Sequence, residues 1–261
     1  MIFRWLKHRR RQAILAGPFP PAWDDILRQR VRLYGTLMAD EQARVRDYLR
    51  VFVAEKNWEG CSGQTITDEV QVTVAALVAI LVLGFDDEYF SNVLSILVYP
   101  DAYLARRAPV LHRGLVLEED SPREGEAWYR GPVVLSWADV EFDAGPDGDG
   151  RNLVLHEFAH QLDMLNGRTA DGLPPMGSAE QERRWAAVVE EEFDRLVGQC
   201  ERGNPTLLDC YAATNRAEFF AVATETFFER PTAMLRRMPA LYEILREFYR
   251  QDPASRRQPG N

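Results

Sequence analysis

The sequence predicts a helix-rich α+β domain, and three observations support that class. Segments at about 22 to 35, 39 to 54, 178 to 199 and 233 to 250 repeat apolar residues with helical spacing. Ser95-Ile96-Leu97-Val98-Tyr99 and Val133-Val134-Leu135-Ser136-Trp137 are short β-forming runs that suit the strands of a small mixed sheet. After them comes His156-Glu157-Phe158-Ala159-His160, where Leu155, Phe158, Ala159, Leu162 and Leu165 supply the apolar stripe of one more helix.

In chain order, residues 1 to 20 form a basic N-terminal segment. Met1 to Arg11 alternates apolar and basic residues, and Gly17-Pro18-Phe19-Pro20-Pro21 breaks the chain before the first long helix. The basic cluster follows the apolar residues, so the segment does not read as a secretory signal. A solvated or self-packed terminus is expected in preference to an amphipathic segment that touches a membrane. Val72 to Phe85 is apolar but shorter than the roughly 20 residues needed to cross a bilayer, and reads as a core helix. Asp143 to Gly150 lacks the spaced ligands of a calcium loop and reads as a flexible turn. The main domain is expected over residues 21 to 250, with a frayed tail from 251 to 261.

The composition bounds the function. A chain of 261 residues that is 46% hydrophobic can build one large core. Its three cysteines, Cys61, Cys200 and Cys210, show no C-x-x-C pairing and read as reduced thiols of a cytoplasmic protein. The net charge is −9 although residues 1 to 50 carry +6, which leaves −15 on the rest and argues against direct nucleic-acid binding.

The chemistry concentrates at His156 and His160. Four residues apart on a helix, two imidazoles project from one face and can grip one metal ion, while the Glu157 carboxylate can reach a water bound to it. Half of the chain's four histidines fall on this face. Asn152 offers a cap for the helix. A catalytic zinc wants a third protein ligand and one open position. A third histidine six residues after His160 is absent, since Asn166 stands there, and Glu180 lies in an ordinary charged helix start. Further on, Asn215 can cap a helix that Pro231 stops, and on it Glu218 and Glu225 share an otherwise apolar face. Buried carboxylates need a cation or a hydrogen bond. Glu218 could equally close a capping box with Asn215.

His-Glu-Phe-Ala-His-x-Leu-Asp at residues 156 to 163, followed by Tyr211 and Glu218-Phe219-Phe220-Ala221, resembles the Mlc titration factor A family of zinc metallopeptidases. That family is itself similar to the catalytic domain of anthrax lethal factor. The likeness extends through Gly131 to Trp137 and Asp171-Gly172-Leu173-Pro174, over roughly residues 20 to 250. The resemblance implies a zincin-like metallopeptidase domain in which His156, His160 and Glu218 bind one zinc ion and Glu157 is the general base. It further implies that Tyr211 donates to the tetrahedral intermediate and that Asp163 is a partner orienting a ligand histidine. By the same resemblance the strand at 133 to 137 borders the cleft and pairs with extended substrate. Two function classes follow: a peptidase acting on short peptides or chain ends, and a regulator that sequesters an Mlc-like repressor of sugar-uptake genes.

Overall fold

Prolines and capping side chains set where the helices begin. The computed structural model describes residues 2–86, 90–102, 110–112, 115–117, 131–146, 148–167 and 169–256. Helix α1 (Ile2–Ala16) is separated from α2 (Pro21–Arg30) by the glycine and proline break, and Pro21 sits in the first helical turn, where its missing N–H has no partner to lose. The basic segment packs on α3 (Ala39–Glu55): Arg11 makes a bidentate pair with Glu55 at 2.8 Å, and Arg50 donates to the Gly17 carbonyl at 2.6 Å.

Strand β1 (Asn57–Gly60) leads into α4 (Asp68–Leu81), capped by Thr67, which accepts the Val70 N–H at 3.3 Å. Every residue of α4 from Val72 to Leu81 is buried, so the apolar run is a core helix. Then come β2 (Ser95–Tyr99), β3 (Val110–His112), β4 (Leu115–Leu117) and β5 (Val133–Ser136). Strands β1, β2 and β5 form a parallel sheet in the order β1-β2-β5, with Ile96 opposite Trp58 on one side and Val133 on the other. The expected mixed sheet is corrected, because the antiparallel β3–β4 pair forms a ladder of its own. Parallel neighbours require a long crossover, and α4 provides it between β1 and β2. Ser136 ends β5 and caps α5 (Trp137–Ala144), so Trp137 opens a helix rather than closing a strand.

The second half is helical: α6 (Leu153–Asp163), α7 (Ala179–Glu201), α8 (Arg216–Glu229), α9 (Pro231–Arg237) and α10 (Pro239–Tyr249). Pro239 divides the single helix expected over 233 to 250 into α9 and α10, since its ring cannot continue the preceding helix. Helix α8 is the centre of the core, with every residue from Ala217 to Glu229 buried. Phe220 meets Trp185 of α7 at 5.5 Å and Phe248 of α10 at 5.9 Å, and Phe227 meets Tyr242 at 5.1 Å. On α6, Phe158 packs edge-on against Phe52 and Phe90 at 5.8 and 4.9 Å. Both helices that flank the site are thereby fixed by aromatic contacts.

Packing continues past residue 250. Gln251 is buried and donates to the Ile80 and Leu81 carbonyls at 3.0 and 3.1 Å, meeting the need of α4 for donors at its C-terminal end. Arg256 pairs with Glu41 at 2.7 Å; residues 257 to 261 of the expected tail lie outside the described residues. The cysteine reading is also corrected. Cys200, at the end of α7, forms a disulfide with Cys210, which leaves Cys61 as the free thiol. Among the described residues no helix is long and apolar enough to cross a membrane.

Candidate metal centre

Two asparagines set the register of the helices that build the site. Asn152 caps α6 by accepting the Leu155 N–H at 3.1 Å, and Asn215 caps α8 by accepting the Glu218 N–H at 2.9 Å. The apolar side of α6 buries against α8, and the four-residue spacing stacks His156 and His160 on the same side. The Glu218 carboxylate, one turn into α8, meets both rings instead of remaining a helix-end group.

The geometry is a triangle of ligand atoms. His156 Nε2 lies 3.2 Å from His160 Nε2 and 3.1 Å from Glu218 Oε2, and His160 Nε2 lies 3.4 Å from Glu218 Oε1. A coordination tetrahedron with bonds of about 2.0–2.1 Å has edges of about 3.3 Å. The three residues therefore already stand where a small divalent ion needs them, and they could hold one.

Charge balance argues the same way. His156 Nδ1 lies 2.8 Å from Glu225 Oε1, so the ring N–H on that side is committed to Glu225 and the Nε2 lone pair faces Glu218 and His160. Acceptors that face one another in a buried site need a cation or a proton between them. Without a metal the proton fills that role: burial pushes the His156 imidazole down, but hydrogen bonds to Glu218 and Glu225 outweigh it and raise it to about 10. Burial likewise pushes Glu218 up, and the hydrogen bonds from His156 and His160 outweigh it and lower it to about 2.

The remaining residues singled out in the sequence fall around this triangle. Glu157 is half-buried beside His156, and its negative charge contributes to the raised imidazole. Tyr211 sits in the short turn Cys210–Ala213, 36% exposed, with its ring 6.3 Å from that of His156. Asp163 closes α6 and is fully buried; its carboxylate accepts the Gly172 N–H at 2.7 Å, and burial pushes it up to about 6. No hydrogen bond joins Asp163 to either imidazole among the described residues.

The profile of the glucose-regulated metallo-peptidase M90 family matches residues 5–250 of the chain. The chain belongs to that family. The chain is also similar to curated relatives of comparable length. An uncharacterized protein of Synechocystis is 37% identical over 250 residues, covering 95% of this chain and 90% of the relative. The Mlc titration factor A of Salmonella arizonae is 34% identical over 242 residues, covering 90% and 92%, and that of Serratia proteamaculans is 33% identical over 260 residues, covering 97% and 94%. The earlier resemblance to the Mlc titration factor A family is thus shown.

In this M90 chain the structure adds residues that the motif does not name. Glu225 Oε2 accepts the Asn152 N–H at 2.6 Å, and Asn152 Nδ2 donates to Glu229 Oε1 at 2.8 Å. The other Glu229 oxygen meets Arg32. Glu218, Glu225 and Glu229 follow one another along a single buried face of α8, and each has a cationic or N–H partner. The apolar surroundings of Glu218 and Glu225 were the signal available in the sequence. Glu229 and Arg32, 197 residues apart, gave none.

Proposed function

We propose that this M90 protein is a zinc-dependent peptidase with an aminopeptidase-like preference for short peptides or chain termini. The observation that supports it best is the His156, His160 and Glu218 triangle with Glu157 at its side. Two imidazoles and one carboxylate, with a fourth position left for water, form the ligand set of a catalytic zinc; structural zinc is usually enclosed by four protein ligands.

Zinc in this site would lower the pKa of a bound water towards about 7 and polarise a peptide carbonyl. Glu157 takes the proton of the attacking water on its carboxylate and delivers it to the nitrogen of the leaving amine. The Tyr211 hydroxyl donates a hydrogen bond to the carbonyl oxygen as that atom gains negative charge. Among the described residues β5 is an edge strand of its sheet, and an extended peptide can add to such an edge through main-chain hydrogen bonds.

The name of the relatives favours a second reading: a regulator of sugar uptake that sequesters an Mlc-like repressor, with zinc stabilising the docking surface. The two are separated by mass-spectrometric cleavage of a mixed peptide library by zinc-loaded protein beside its Glu157→Gln variant. Cleavage by the wild type alone supports the peptidase and reveals the bond it prefers, whereas silence from both favours the regulator.

A further inference from the structure

We propose that Glu225 is the positioning residue of the metal centre, holding His156 in the tautomer and orientation that present Nε2 to the ion. This role rests on the zinc reading given above. Glu225 approaches His156 Nδ1 to 2.8 Å and is buried, so the bond forms away from competing water. A carboxylate accepting from one ring nitrogen fixes which nitrogen keeps the proton and strengthens the other as a ligand.

The acceptor is itself held on both sides. Its second oxygen takes the Asn152 N–H at 2.6 Å, and Asn152 is the cap of the helix that bears His156. Asn152 is held in turn by Glu229, which Arg32 neutralises. The carboxylate therefore cannot swing away without giving up the buried N–H of the residue that caps α6. Both oxygens of Glu225 act as acceptors towards two N–H donors, an arrangement that a glutamine cannot reproduce because one of its two polar atoms is a donor. Locking α6 onto α8 is the structural alternative, and it would leave metal affinity untouched once the protein is folded.

The test is zinc competition against a chromophoric chelator for the wild type, Glu225→Gln and Glu218→Ala. Thermal melts of each metal-free form and visible spectra of the Co2+-substituted proteins accompany it. Glu225→Gln is expected to weaken zinc by about 10- to 100-fold and to alter the Co2+ spectrum. Zinc affinity within twofold of wild type and an unchanged spectrum, with Glu218→Ala losing zinc, would overturn the role of Glu225 alone. Unaltered affinity in Glu218→Ala would overturn the metal site and this role with it. Should Glu225→Gln not fold, 15N NMR of the zinc-loaded wild type decides: a hydrogen-bonded Nδ1–H on His156 is expected, and a zinc-bound Nδ1 would overturn the proposal.

Discussion

Gly172 donates its backbone N–H to the buried carboxylate of Asp163 at 2.7 Å, tying the end of α6 to the loop that leads towards α7. Its carbonyl accepts the Trp185 Nε1–H at 2.9 Å, so one residue joins three parts of the core. With φ at +80°, and a Cβ that would stand 2.4 Å from the Arg216 carbonyl oxygen, only glycine fits. Gly172→Ala is therefore expected to destabilise the protein by about 2 kcal/mol or more in chemical denaturation. An unchanged midpoint would refute this account of the loop.

Glu157 and Glu218 are expected to separate chemistry from binding. In the proposed mechanism Glu157→Gln removes the proton acceptor but no ligand, so zinc content is expected to stay near one per chain while hydrolysis falls by about 10²–10⁴-fold. Glu218→Ala removes a proposed ligand and is expected to lose both. Tyr211→Phe keeps zinc and loses about a hundredfold in kcat. Zinc content and activity measured side by side check all three, and a fully active Glu218→Ala protein would contradict the ligand assignment.

Zinc affinity is expected to rise with pH. In the metal-free protein His156 keeps its proton up to about pH 10, whereas Glu218, lowered to about 2, is already ionised at neutral pH. Zinc must displace the histidine proton, so each pH unit gained below that value strengthens apparent binding by up to about tenfold. The raised imidazole also stabilises the metal-free fold below its unfolded value of about 6.5, and that contribution is lost as pH rises through about 10. Calorimetry in two buffers of different ionisation enthalpy should count at least one proton released per zinc at pH 8, the histidine proton plus any lost by a zinc-bound water; no release would contradict it.

Much of this centre is legible in the sequence. His156, His160 and Glu157 are local, and Asn152, Asn215 and Pro231 mark helix ends through their own side-chain chemistry. Strand β1 was not legible: Asn57-Trp58-Glu59-Gly60 is short and largely exposed, and only its pairing with β2 makes it a strand. The partner of His156 was half legible, because Glu225 could be placed on the face of Glu218 but not opposite a particular ring nitrogen. The Cys200–Cys210 bridge was misread because cysteine count and spacing do not report that the chain turns back at the end of α7.

That bridge is open to a direct test. Cys210 is exposed, and the disulfide closes a loop with a sequence separation of 10 immediately before Tyr211. The loop entropy it removes from the unfolded chain corresponds to about 3 kcal/mol. Reduction with a dithiol, or paired Cys200→Ser and Cys210→Ser substitutions, is expected to lower Tm by roughly 5–10 °C. An unchanged Tm under reduction would show that the bridge contributes nothing to the fold.

The most direct test of the proposed zinc centre is an anomalous difference map collected at the zinc absorption edge from crystals of the zinc-loaded protein. One peak is expected about 2.0–2.2 Å from His156 Nε2, His160 Nε2 and a Glu218 oxygen, with the fourth position open on the side of Glu157. No peak at the triangle, or an ion enclosed by four protein ligands, would contradict it.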